Sequence, residues 1–270
     1  MKNLSFLIGL ILYCLSFSTH ADFKIYDGFL YKNKPDLRNY NIAPIPIIYE
    51  SALLSSKDKN QTPALTNIIN ASRQINNSKI DKAVIDIERW PVTGNKNLVA
   101  QSVKKYQKVI QDLKASGTTK LIGYYGAPPV RDYWRAIKKP TSKEYISWQK
   151  DNDALQSLAD TVDALYPSIY TFYDDQYGWV EYAKAQIKEA RRLANGKPVI
   201  VFLWPKYHDS NKLLKNKYIP ASFWRVQLET ALAFADGAII WGGWQETWDP
   251  NAEWWIETRK FIIDNNIIGK

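Results

Sequence analysis

The chain has 270 residues, of which 46% are apolar, which suits one large core rather than a disordered or fibrous chain. Its net charge of +9 is spread as single lysines and arginines, which favours a polyanionic partner over a block-charged tail. The single cysteine, Cys14, excludes a disulfide framework and a cysteine metal site.

Taken in chain order, Lys2 precedes the apolar run Phe6–Leu15, and Thr19-His20-Ala21 supplies a small residue at the end. That pattern reads as an export leader over residues 1–21 cleaved after Ala21, so that residues 22–270 form a single domain, secreted or periplasmic. Export argues against nucleic acid as the polyanion, and no second apolar stretch is long enough for a membrane span.

Short apolar runs rich in β-branched and aromatic residues then alternate with segments of helical period. Strands are expected at Ala43–Tyr49, Ala83–Glu88, Leu121–Tyr125, Ala164–Tyr170, Val199–Trp204 and Gly237–Trp241, with Lys24–Leu30 a further one and no good eighth. Helices are expected at Leu98–Ala115, Glu144–Asp163, Asp174–Asn195 and Ser222–Ala235, and a last one opens with Asp249 as N-cap and Pro250 at its first position. Lys57–Asn77 is polar and reads in part as loop. Continuous apolar strands between helices imply an α/β fold with a parallel sheet. A TIM-like (β/α) barrel with fewer than eight regular strands is preferred to an open sheet, because polar or aromatic residues end nearly every strand where barrel sites lie. No glycine-rich phosphate loop follows any strand, so no nucleotide cofactor is expected.

The chemistry concentrates at Asp86 and Glu88. At spacing i, i+2 on a strand they share a face, roughly 7 Å apart, and two neighbouring carboxylates resist joint ionisation, which suits acid/base work. His208 has no His or Cys partner, reads as an exposed loop histidine, and no metal is expected. Asp174-Asp175 reads as the cap of the helix near Gln176, and Trp204, Trp244 and Trp248 as sugar platforms or packing residues.

Four stretches together resemble the hyaluronidases of glycoside hydrolase family 56. Val84-Ile85-Asp86-Ile87-Glu88-Arg89-Trp90-Pro91 is similar to the family's D-x-E-x-W strand, Gly123-Tyr124-Tyr125-Gly126-Ala127-Pro128 to its G-x-Y-G-x-P exit, Ala164-Leu165-Tyr166-Pro167-Ser168-Ile169-Tyr170 to A-L-[YF]-P-S-[IV]-Y, and Gly237-Ala238-Ile239-Ile240-Trp241-Gly242 to the last strand. Departures are the missing disulfides and C-terminal extension, Arg89 preceding Trp90, and Pro129-Val130-Arg131-Asp132 intervening before Tyr133 where the family has a substrate-contacting tyrosine directly after the Pro128 position. The resemblance implies an endo-acting, retaining β-N-acetylhexosaminidase whose nucleophile is the substrate's acetamido oxygen. It implies Glu88 as acid/base, Asp86 as the residue holding the acetamido group, Tyr170 as its orienting hydrogen-bond donor, Trp241 as the floor under its methyl, and Tyr125 as a rim contact. The expected partner is a polysaccharide, with an anionic glycosaminoglycan or exopolysaccharide favoured by the charge, and no cofactor. Two other readings stay open: a non-catalytic carbohydrate-binding barrel, and a two-carboxylate glycosidase with Glu50 or Asp174 as nucleophile.

Overall fold

The computed structural model describes residues 23–54 and 61–267; the expected leader, residues 1–21, lies outside them. The elements follow as β1 Lys24–Phe29, a 3-10 turn at Leu37–Tyr40, β2 Ile42–Pro44, β3 Ile47–Tyr49, α1 Glu50–Leu53, α2 Leu65–Asn76, β4 Lys82–Asp86 and α3 Lys96–Ala115. After these come β5 Leu121–Tyr124, α4 Tyr133–Ala136, α5 Lys143–Asp153, α6 Gln156–Thr161, α7 Gln176–Ala194, β6 Ile200–Leu203, α8 Ala221–Phe234, β7 Gly237–Gly242 and α9 Glu253–Asp264.

Every pairing between these strands is parallel, in the orders β2-β1-β7-β6 and β3-β4-β5. Two seams join the sets. At one, β2 and β3 form a single run broken where Pro44 and Pro46 offer no N–H for a ladder. At the other, the expected strand Ala164–Tyr170 is present only as isolated bridges, Tyr125 to Tyr166, Leu165 to Val199 and Ser168 to Phe202. Pro167 interrupts its donors, yet its carbonyl still accepts from Phe202 N–H at 2.8 Å, and Tyr166 O accepts from Gly126 N–H at 2.9 Å. Among the described residues the pairings therefore run round a closed cycle of seven strand positions, a (β/α) barrel one strand short of eight.

Strand alternation divides the apolar residues into two bodies. One lies inside the barrel and includes Tyr26, Ile45, Val84, Tyr166, Phe202 and Ile239. The other fills the space between barrel and helices and includes Ile85, Trp148, Trp179, Trp224 and Phe261. The outer layer follows helical period: on α3, Val99, Val103, Tyr106, Ile110 and Leu113 are all buried, and Asn95 caps the helix by accepting from Asn97 and Leu98 N–H.

Three segments differ from expectation. The run Glu144–Asp163 is broken at Ala154–Leu155, where Leu155 N–H turns back to Asn152 O at 2.9 Å and re-aims Leu158 and Ala159 into the core. Residues 65–76, expected as partly loop, form α2. Asp249 does not cap the last helix: it closes a turn on Asn251 N–H at 2.9 Å, and α9 begins at Glu253 so that Trp254 and Trp255 pack against Trp248 at 5.7 and 4.9 Å. Among the described residues no helix is long and apolar enough to cross a membrane.

Candidate functional site

The inward register of the barrel leads directly into a cavity at the strands' C-terminal ends. Two residues beyond buried Val84 on β4 stands Asp86; two beyond Phe202 and Ile239 stand Trp204 and Trp241. Tyr170 and Tyr125 continue the same faces of their strands. These five residues, with Glu88, Ile47, Arg131, His208 and Asp209, line a cavity of about 230 Å³. Asp86, Glu88, Tyr125, Tyr170 and Trp241, each expected at the site, are thus brought together. A second cavity of about 180 Å³ adjoins it, bounded by Trp90, Tyr106 and Val130, and shares Glu88, Tyr125 and Arg131 as its wall. Ligand pockets typically measure roughly 300–1,000 Å³, so neither cavity alone reaches that range but the pair does. A larger, mainly apolar cavity of about 490 Å³ opens at the opposite end, between Ile42–Pro44 and the stretch 77–80, and no carboxylate lines it.

Within the cleft the aromatic rings brace one another. Trp241 lies stacked on Tyr170 at 6.1 Å and meets Trp204 edge-on at 5.2 Å, and its indole N–H donates to Tyr49 Oη at 3.3 Å. Tyr125 stands 6.0 Å from Tyr170 and its hydroxyl donates to Ser168 Oγ at 3.3 Å. Burial first, then the Tyr125 hydroxyl and Asp86, hold the Tyr170 phenol protonated well beyond its ordinary range, so it serves as a neutral hydrogen-bond donor.

Asp86 is the electrostatic centre. Burial, then the neighbouring charges of Glu88 and Glu50, push its carboxyl up to about 7. Asp86 is therefore partly protonated near neutrality, as expected of a buried carboxyl beside a second one. Glu88 is exposed to the cleft, and its position is set from behind. Glu50, at the start of α1, accepts from the backbone N–H of Glu88 at 3.3 Å and of Arg89 at 3.2 Å, and pairs with the Arg89 guanidinium at 2.8 Å. Asp174 accepts the Tyr207 hydroxyl at 2.5 Å, and Asp175 caps α7 through Gly178 N–H. Both alternative nucleophiles are thereby engaged elsewhere.

His208 corrects the expectation of an exposed loop residue. Its ring is half-buried against Phe172 at 4.7 Å, and burial, then Arg131, lower its pKa, so it is neutral at neutral pH. Arg131, Asp209 and Tyr49 are the other site residues that the sequence did not single out. All but Tyr49 sit on loops, where no periodicity betrays them; Tyr49 ends its strand as the other rim aromatics do. Trp244 is 65% exposed, while Trp248 packs beneath α9 away from the cleft. Among the described residues, no three His, Cys, Asp or Glu side chains lie close enough to hold a metal ion.

The comparisons with known proteins agree with this fold. The family model described as hyaluronidase, glycoside hydrolase family 56, matches residues 96–256, more than half of the chain. That span begins after Asp86 and Glu88, so the acid pair stands on its geometry. Bee venom hyaluronidase is similar in fold, with a TM-score of 0.62 and 16% identity over 92% of this chain and 100% of that one. The same bee enzyme in complex with a hyaluronic acid tetramer superposes with a TM-score of 0.62 and 17% identity over 90% of this chain and 96% of that one. A search of curated proteins finds no match.

Proposed function

The chain belongs to the hyaluronidase family, glycoside hydrolase family 56, and from that premise we propose that it cuts an N-acetylhexosamine-containing polysaccharide within the chain, with retention of configuration. It is a glycoside hydrolase; the substrate class and the route are our reading. In that route the acetamido oxygen of the bound sugar attacks its own anomeric carbon while Glu88 gives a proton to the departing glycosidic oxygen. Glu88 then takes a proton from the water that reopens the cyclic intermediate. Asp86 holds the acetamido N–H and answers the positive charge that develops there. Tyr170 donates to the acetamido oxygen, Trp241 lies under its methyl group, and Tyr125 lines the rim.

One observation carries this reading. A carboxyl pushed up to about 7 stands beside a second carboxyl in a cavity walled by a protonated phenol and an indole. A purely binding site has no use for a desolvated carboxyl beside a second one whose charge disfavours its own. The ion pair of Glu50 and the hydrogen bond of Asp174 speak against an enzyme nucleophile. The bee homologue's complex with a hyaluronic acid tetramer makes hyaluronan the first polymer to try. We also propose that residues 1–21 are removed on export to the periplasm or medium, which N-terminal sequencing of the mature protein checks.

The test compares Glu88→Gln with the unmodified protein on acetylated and chemically de-acetylated polymer. General acid/base help is worth roughly 10²–10⁴-fold, so Glu88→Gln should slow turnover by about that factor while still binding polymer. De-acetylated polymer should not be cut. Its cleavage at an undiminished rate would exclude the substrate as nucleophile, and full activity in Glu88→Gln would remove Glu88 from the chemistry.

A further inference from the structure

Strand β4 ends at Asp86, and Glu88 is carried by the stretch beyond the ladder. Side chains from other elements hold that stretch. One Glu50 oxygen accepts the N–H groups of Glu88 and Arg89 at 3.3 and 3.2 Å. The buried Tyr106 hydroxyl, on α3, donates toward Ile87 O at 3.0 Å and Trp90 O at 3.1 Å. Backbone groups on both sides of Glu88 are thus fixed, and fixing a reacting group to within a fraction of an ångström is what orientation in catalysis requires.

Glu50 is itself held. Its other oxygen pairs with the Arg89 guanidinium at 2.8 Å, and the two side chains are 31% and 13% exposed, so water screens the pair only in part. Burial pushes the Glu50 carboxyl up, but Arg89 and the two amides outweigh it and hold the group below its ordinary value. The carboxylate therefore stays ionised behind the acid pair. Its charge adds to that of Glu88 in opposing ionisation of Asp86. The other titratable groups facing Asp86 are Tyr49 at the end of β3, Tyr106 on α3, Tyr125 and Arg131 at the exit of β5, Tyr170, and His208 and Asp209 after β6; β7 contributes the uncharged Trp241. Arg89, bound to Glu50, offsets part of the charge that Glu50 brings.

We propose that Glu50 and Arg89 form a positioning couple for the acid pair: Glu50 aims the backbone that presents Glu88 and supplies negative charge behind Asp86, and Arg89 limits that charge. This rests on the glycosidase reading above. Neither residue touches substrate; both act through Glu88 and Asp86.

Three substitutions separate aim from charge. Glu50→Asp keeps the charge but falls one methylene short of the amides, so kcat should drop roughly 10–100-fold, the scale of a misplaced reacting group, with KM nearly unchanged. The limb of kcat/KM governed by Asp86 should stay near about 7 in that variant. Glu50→Gln keeps the shape and loses the charge, so the limb should move from about 7 toward 3.8, the ordinary value of an aspartate. Arg89→Gln leaves Glu50 uncompensated and should move the limb up, and the double substitution should fall between the two single ones. Carbon NMR of the Asp86 carboxyl reads the same titration without turnover. A couple serving stability alone would lower the melting temperature while leaving kcat per folded molecule unchanged in Glu50→Asp, and that result overturns the proposal. So does a titration of Asp86 that stays in place, or moves the same way, in Glu50→Gln and Arg89→Gln. Full activity in Glu88→Gln would remove the glycosidase reading and the aiming role with it, whereas the NMR titration still decides whether the couple sets the charge at Asp86.

Discussion

At the scale of single residues, Asp86 sets both a pH profile and a cost. Burial, then the charges of Glu88 and Glu50, raise its carboxyl to about 7. In the proposed route Asp86 answers the developing positive charge as a carboxylate. kcat/KM should therefore fall as pH drops through about 7, and Asp86→Asn, which cannot ionise, should lose that limb; a flat profile between pH 6 and 8 would contradict it. Stability runs the opposite way. Asp86 holds a proton in the folded state that the unfolded chain releases near 3.8, so stability declines as pH rises from about 4 to about 7 and stays reduced above it. At about 1.4 kcal/mol per unit, the cost is at most roughly 4 kcal/mol. Asp86→Asn should accordingly melt higher than the unmodified protein at pH 8, with the gain vanishing near pH 3.

At the scale of elements, the seam between β5 and the stretch 164–170 depends on Gly123. A Cβ there would stand 2.0 Å from the Ala164 carbonyl oxygen, a backbone atom that cannot step aside. Gly123→Ala should push the two strands apart and cost several kcal/mol, by analogy with overpacked cores at about 1–3 kcal/mol or more; an unchanged denaturant midpoint would show that the seam yields. That strand was legible as an apolar run, although its ladder is sparse, since the sequence displays Pro167 but not which hydrogen bonds survive it. Asp86, Tyr170 and Trp241 were legible for a shared reason: each is the polar or aromatic end of a buried run, and period two dictates its face. Loop residues carry no such period. Arg131 and His208 reach the cleft only because the exits of β5 and β6 fold inward, which depends on contacts such as Val130 N–H to Asn152 Oδ1 and His208 N–H to Thr171 O. The false cap at Asp249 has the same origin, because a local turn signal was overridden by aromatic packing of Trp254 and Trp255.

At the scale of the whole molecule, the charge of +9 acts over distance. Exposed charges are screened within about 10 Å at 0.1 M salt, so association with an anionic polymer should slow steeply across a salt series while binding of a neutral N-acetylhexosamine polymer changes little. Salt-independent binding of both would leave the charge as a matter of solubility.

The site is the top layer of the barrel's own interior, and that arrangement divides what mutation can explore. Asp86, Tyr170, Trp204 and Trp241 are rungs of the ladder that also packs Val84, Tyr166, Phe202 and Ile239. A change in any of them is a change to the interior, and selection must accept or refuse chemistry and folding together. Arg131, His208 and Asp209 hang from loops outside that ladder, where exchange disturbs little beneath them. Descendants of this protein are thus free to acquire new diets while the reaction itself stays locked to the architecture, and an engineer seeking a different polymer should work on the loops and leave the rungs alone.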